Sequence, residues 1–336
     1  MTILEQQITQ TWRWSRHTFR AMNTQVETCL YSQTGEAVLL DIERLFRSFE
    51  KRLSRFDPHS ELSRLNLHPG PEPFVASSTL VDALEVALVA AQATQGLYDP
   101  AILTVLEQSG YDRSFEQVPD QAPLQPDSVL HSDAPAVGAL GRSVTFRSIQ
   151  LNRPRREIYK PAGVRLDLGG MGKGWTVDRA ADHLQGLGPF LVNAGGDIFA
   201  YQAPPGERGW QIDLVHPFDT ELSMARLYLH HRALATSTIA KRRWQQEGQV
   251  RHHLIDPRTG HSAQTDALSV SVVADRTVLA EIYAKVALIL GATEGLAYLQ
   301  SLPGVEGLIY TSDKQILYTT GLAALLDRVE SAGYVN

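Results

Sequence analysis

Cysteine is almost absent: Cys29 stands alone in 336 residues. It cannot close an internal disulfide, and the alternating apolar pattern around it predicts a buried core thiol. The first ten residues lack the basic start, apolar stretch and small-residue cleavage site of a secretion signal. No run approaches the ~20 apolar residues that a membrane-spanning helix needs. A reducing, cytoplasmic setting without membrane insertion is the resulting expectation. Clustered positive charge is missing too. The formal charge is -6, and the short basic runs at 153–156 and 241–243 read as solvated strand or loop faces. Nucleic acid is therefore not an expected partner, because binding a phosphate backbone demands grouped Lys and Arg.

What is present is ordinary globular composition, 43% hydrophobic and 20% charged. The length suits one large domain or two intimate ones. Residues 116–136, rich in Pro, Asp and Gln, read as a loop or linker between a 1–115 part and a 137–336 part. Apolar spacing predicts helices over 35–55 and 78–94, the second with Ser77-Ser78 as caps. Two more are predicted, from Gly172 to about Gly186 and over 276–290, the latter closed by Gly291. Strands are predicted over 17–31, 142–151, 164–168, 189–201, 209–215, 222–236 and 268–274. Residues 233–256 read as strand, turn and strand, with Glu247-Gly248 at the turn. This order is not a regular βαβ alternation, so the fold class is α+β, mixed sheets with flanking helices.

Three segments carry chemistry. Asp167-Leu168-Gly169-Gly170-Met171-Gly172-Lys173-Gly174 joins a predicted strand to a predicted helix. Its small residues let backbone approach a ligand, its helix start offers N–H groups to phosphate, and Lys173 adds a mobile charge. It is neither a Walker A loop, since Gly174 stands where Ser or Thr would follow Gly-Lys, nor a Rossmann fingerprint, since position 175 is not Gly. A glycine turn serving only the fold is the plainer alternative. His252 and His253 fall on opposite faces of a strand end before Asp256-Pro257. One of them is a candidate general base, against the alternative of a satisfied structural His. Glu281 and Lys285 are four apart on one helix face, either a surface ion pair or a site-facing carboxylate with a neighbouring ammonium. Two weaker turns, Asn193-Ala194-Gly195-Gly196-Asp197 and Tyr98-Asp99-Pro100, could bend backbone around a ligand or offer a ring to a flat one.

Taken in order, these segments resemble the FAD:protein FMN transferase (ApbE) family over about 19–291. Ala21-Met22-Asn23-Thr24 resembles the family's Met-Gly-Thr, and Ser60-Glu61-Leu62-Ser63-Arg64-Leu65-Asn66 its Ser-x-Ile-Ser-x-Leu-Asn. Tyr98-Asp99-Pro100, the 167–178 stretch, Asn193 to Asp197 and Ala235-Thr236-Ser237 have counterparts, and His253 to Gly260 matches His-x-Ile-Asp-Pro-x-Thr-Gly in full. The resemblance implies one ApbE-like unit with FAD, as substrate, in a cleft between the two parts. Met22, Phe56, Tyr98, Asp99, Asp167, Lys173 and Ile255 would line the cleft, and His253 would be the catalytic base. Mg²⁺ would be held by the carbonyl of Gly170 and the carboxylate of Glu281. The implied reaction moves FMN onto a Ser or Thr hydroxyl of a flavin-carrying acceptor protein, with release of AMP. An FAD pyrophosphatase, a non-catalytic FAD binder and a purely structural module are the competing expectations. Departures exist: Asn23 for Gly, Ala101 and Thr238 at two further positions, and Glu281-x-x-x-Lys285 where the family pattern is Asp-x-x-x-Thr. Lys285 thus stands at a usual metal-ligand position, although a charged Lys cannot ligate a metal.

Overall fold

The computed structural model describes residues 11–118, 145–246 and 248–329. The predicted 116–136 loop therefore lies outside the described residues from 119 onward, as do 142–144 of the predicted 142–151 strand and Glu247 of the predicted turn.

The chain opens with a hairpin, Arg13–Ala21 paired antiparallel with Thr24–Ser32. The single strand predicted over 17–31 is thus two. The turn is only Met22-Asn23, both at positive φ (51° and 57°), as a two-residue hairpin of right-handed twist requires. No Gly marks it, so the alternation reads straight through. Asn tolerates this conformation. Met22 is strained there, and its N–H is held by Glu50 Oε1 at 2.8 Å. The predicted 189–201 and 222–236 strands are likewise each two, the first pair a hairpin and the second divided between two sheets. Phe190–Ala194 turns at Gly195-Gly196 into Asp197–Tyr201, and Ser223–Leu229 is followed by Arg232–Thr238.

Eight strands form the main sheet, in the order Arg13–Ala21, Thr24–Ser32, Phe190–Ala194, Asp197–Tyr201, Arg232–Thr238, Ala267–Ala274, Glu306–Thr311 and Ile316–Tyr318. All its neighbouring pairs are antiparallel. Both the 1–115 and 137–336 parts contribute strands. Its side chains alternate with period two between two covers. Ala235, Val272 and Ile309 face helices, whereas Leu234, Val273 and Leu308 face a three-stranded sheet of Trp210–Val215, Ser223–Leu229 and Leu326–Val329. Cys29 alternates with buried Thr28 and Leu30, so its thiol is half-buried rather than in the core.

Seven α-helices occur among the described residues: α1 (Ala37–Leu53), α2 (Glu61–Leu67), α3 (Ser78–Ala93), α4 (Leu103–Gln108), α5 (Gly172–Leu184), α6 (Thr277–Leu290) and α7 (Ala292–Ser301). The four helices predicted by apolar spacing are α1, α3, α5 and α6, with Ser77 accepting from Leu80 N–H and Gly291 closing α6 at φ +87°. Helix α6 lies between two layers. Ala280, Ala284 and Ala287 pack on the sheet, and Val278, Ile282 and Val286 pack with α2 and α3 residues such as Leu65 and Leu84. A helix covered on both sides is apolar nearly all round, which makes Glu281 conspicuous.

Residues 164–168 form no strand, although they are extended in pattern. Leu166 is paired by a side chain: Asn66 Oδ1 accepts from Leu166 N–H at 2.7 Å and Asn66 Nδ2 donates to Leu166 O at 2.8 Å, while Asp167 N–H donates to Pro100 O at 2.8 Å. A buried amide here replaces a neighbouring strand. Residues 145–151 hold a 3₁₀ turn (Phe146–Ser148) before the short strand Gln150–Asn152.

Candidate active site

A cavity of about 700 Å³ opens where the Met22-Asn23 turn, the end of α1, the glycine turn before α5 and the segment after His252 meet. Such a volume is typical of cofactor pockets. Met22, Phe56, Tyr98, Asp99, Asp167, Gly170, Lys173, His253, Ile255 and Lys285 all line it. Glu281 does not; it sits directly behind the two lysines.

The glycine turn is shaped by Asp167, whose Oδ1 accepts from Gly169 N–H at 2.5 Å. Arg55 Nε reaches Asp167 Oδ2 at 3.4 Å, and the pair is largely buried. The Arg55 guanidinium in turn lies 4.1 Å from the Phe56 ring centroid and 4.7 Å from that of Tyr111, holding a cation between two rings. A Cβ on Gly170 would come within 3.1 Å of Tyr98 Cε2 and 3.6 Å of Lys285 Cε, so Gly lets the turn pass close to the Tyr98 ring without crowding it. The Tyr98 hydroxyl is buried without a hydrogen-bond partner among the described residues, and burial pushes its pKa well above the ordinary value. Asp99 Oδ1 caps the following 3₁₀ turn through Ala101 N–H at 2.8 Å. The start of α5 offers fewer donors than expected. Gly172 N–H goes to Leu168 O at 2.7 Å, and Gly174 N–H to Glu281 Oε2 at 2.9 Å.

Behind this turn lies a quartet of charges, its two carboxylates buried and its two lysines partly exposed to the cavity. Lys173 Nζ donates to Asp197 Oδ2 and, at 3.1 Å, to Glu281 Oε1. Lys285 Nζ donates to the same Glu281 Oε1 at 3.2 Å. Lys173 is thus tethered rather than mobile. The Glu281–Lys285 pair is no surface ion pair, since Glu281 is only 2% exposed. Burial alone would raise both carboxylates. Two ammonium groups hold Glu281 below its ordinary value, whereas burial and the Glu281 charge push Asp197 above it. Asp178, on α5, caps α6 from outside: its carboxylate accepts from Thr277 N–H at 2.8 Å and Val278 N–H at 3.1 Å, which fixes the start of the helix that carries Glu281.

The two histidines separate as alternation predicts. His252 is fully buried. Its Nδ1 accepts from Leu254 N–H at 3.3 Å, so Nε2–H donates to Ala263 O at 3.0 Å. It is the satisfied structural histidine. His253 faces the cavity, and its Nδ1 has no hydrogen-bond partner among the described residues. Burial, with the nearby charge of Arg242, pushes its pKa well below the ordinary value. The ring is therefore neutral at neutral pH, with a nitrogen able to take a proton. Ile255, buried beside Tyr111 and Trp244, forms the wall next to it.

The Gly170 and Glu281 positions were also expected to hold Mg²⁺. The residues present do not fit that ion. Both Glu281 oxygens are engaged, Lys285 offers N–H donors and no lone pair, and its stem passes close to Gly170. A divalent ion ~4 Å from an ammonium is repelled by about 8 kcal/mol at an effective dielectric of about 20. No group of three or more His, Cys, Asp or Glu able to hold a metal occurs among the described residues. Arg55, Arg242 and Tyr111 were not singled out by the sequence, because a lone Arg or Tyr carries no pattern.

Fold and cavity together define a class: an α+β protein with an open cleft between a glycine-rich helix start and a neutral, inward-facing imidazole. Comparison with known proteins gives the family. The model of the ApbE family matches residues 22–309, and the chain belongs to that family. It is 30% identical over 307 residues to an FAD:protein FMN transferase of Treponema pallidum, covering 87% of this chain and 81% of the relative. It is 25% identical to one from Klebsiella pneumoniae, covering 87% of each chain. Among solved structures, the ApbE protein of Thermotoga maritima superposes with a TM-score of 0.79 at 21% identity, over 94% of this chain and 100% of that one. The flavin transferase ApbE of Vibrio cholerae superposes with a TM-score of 0.74 at 23% identity, with the same coverages.

Proposed function

We propose that this chain is an FAD:protein FMN transferase, which takes FAD as substrate and moves its FMN half to a Ser or Thr hydroxyl of a flavoprotein acceptor. One observation carries the reading: in a chain of this family, an imidazole with an unpartnered Nδ1 faces the same cavity as the glycine turn and Lys285. The cleft between the 1–115 and 137–336 parts receives FAD. Tyr98, Phe56 and Ile255 supply apolar walls for the flat rings, Met22 and Asp99 border them, and Asp167 and Lys173 fix the turn against the pyrophosphate.

His253 takes the proton of the acceptor hydroxyl. The hydroxyl oxygen forms a bond to the FMN phosphorus, the bond from that phosphorus to the bridging oxygen breaks, and the electron pair leaves on AMP. Positive groups that face the developing phosphate charge lower the barrier. Because the residues present do not fit Mg²⁺, no step passes through it.

The partners are FAD and an acceptor with an accessible Ser or Thr. No helix among the described residues is long and apolar enough to cross a membrane. We place the reaction in the cytoplasm, the setting the single cysteine suits. Incubating the purified protein with FAD and a flavoprotein acceptor tests the reading. Covalently bound flavin with release of AMP is expected. Free FMN would instead make it a pyrophosphatase, and unchanged FAD a binder.

A further inference from the structure

We infer that Lys285 supplies from within the chain the positive charge that a divalent cation would bring to the pyrophosphate, so that FAD binding and FMN transfer proceed without a metal. The inference rests on the reading of the cavity as the FAD site. Its ground is the quartet Lys173, Lys285, Asp197 and Glu281. Two ammonium groups face two carboxylates, so the quartet is neutral and has no net negative charge to draw in a divalent ion. Removing Lys285 would leave an excess of one buried carboxylate, the condition that favours a cation.

Position strengthens the charge argument. Lys285 reaches the cavity from α6, and its stem lies against the glycine turn at Gly170, close to the Tyr98 ring. Glu281 Oε1 anchors its ammonium at 3.2 Å from the side away from the cavity, since Glu281 is 2% exposed and does not line the cavity. An ammonium has three N–H groups. One bond to Glu281 leaves others for phosphate oxygens. The neighbouring Lys173, by contrast, already binds both Asp197 and Glu281. Lys285 is thus the better placed of the two lysines to meet a ligand, and it acts by direct charge on the leaving and transferring phosphates.

The test measures FAD affinity by quenching of flavin fluorescence, and transfer as covalent flavin on the acceptor, each in EDTA and in millimolar Mg²⁺. For the unaltered protein, both should differ by less than about twofold between the two conditions. Lys285→Met should weaken FAD binding in EDTA at least tenfold, about the loss of one charge-assisted contact, whereas Lys285→Arg, which keeps the charge, should lose less. Mg²⁺ should restore part of the loss in Lys285→Met, where the excess carboxylate returns. An unaltered protein whose FAD affinity rises tenfold with Mg²⁺, or whose transfer stops in EDTA and returns with Mg²⁺, overturns the inference while leaving the transferase reading intact. Absence of FAD binding in either condition overturns both. A Lys285→Met variant that binds FAD in EDTA as tightly as the unaltered protein overturns the role of Lys285, and a Lys285→Arg variant that retains most of the affinity separates loss of charge from misfolding.

Discussion

Asp178→Ala probes how the site is held. Asp178 is 1% exposed and its carboxylate closes two N–H groups of the first turn of α6, at 2.8 and 3.1 Å, from a neighbouring helix. Arg276, which precedes that turn, provides no capping side chain of its own. Alanine therefore orphans two buried donors, each costing about 1–3 kcal/mol. Against this stands the relief of no longer burying a carboxylate, a cost reflected in a pKa that burial pushes up. The net loss is about 3 kcal/mol, at the upper end for a helix cap. Unfolding entropy of ~2.1 cal/mol/K per residue gives about 0.7 kcal/mol/K for this chain, so the melting temperature should fall by about 4 °C. Asp178→Asn keeps one acceptor and should lose about half as much. Because the same turn positions Glu281 and Lys285, FAD affinity should fall together with stability. Thermal melts and flavin quenching check both. A melting point within about 1 °C of the unaltered protein would refute the claim that this cross-helix cap holds α6.

Two further outcomes are expected. His253→Ala should cut transfer about 10²–10⁴-fold with FAD binding retained, and transfer by the unaltered protein should be level from neutral pH upward and fall only in acid. The sign follows from a depressed imidazole pKa: the ring gains its proton only well below its ordinary value of 6.5, so a rate that drops between pH 7 and 8 on acidification speaks against His253 as the base. Gly174→Ala places a Cβ 2.8 Å from Thr277 O and 3.0 Å from Glu281 Oε2, and should destabilise by about 1–3 kcal/mol through overpacking between α5 and α6. An unchanged melting curve would show that the two helices separate at little cost.

The four longest helices and the α+β class could be read from the sequence because their signals are local. Apolar period, the cap at Ser77 and the Gly stop at 291 all lie within a few residues of what they specify. The ordered motifs likewise marked part of the cavity lining, though not Arg55, Tyr111 or Arg242. Strand ends were less legible. The Met22-Asn23 turn and the His230-His231 turn carry no glycine, so alternation runs through both. The helices α2, α4 and α7 and the strands after 301 were not predicted, since short elements carry little periodicity. Residues 164–168 look like a strand and are not one, because Leu166 is held by the side chain of Asn66, a hundred residues away, and Asp167 by the carbonyl of Pro100.

The sequence by itself determined which residue types stand at each motif position, including an imidazole at 253 and a lysine at 285. Only the tertiary structure decided what those residues do to one another. His252 became a satisfied core group and His253 a cavity-facing one through the register of a short hairpin. Glu281 and Lys285 became half of a neutral quartet because α6 packs against α5 and the strand bearing Asp197. Charge balance and burial are properties of groups distant along the chain brought within 3–4 Å, and spacing along the chain does not encode them.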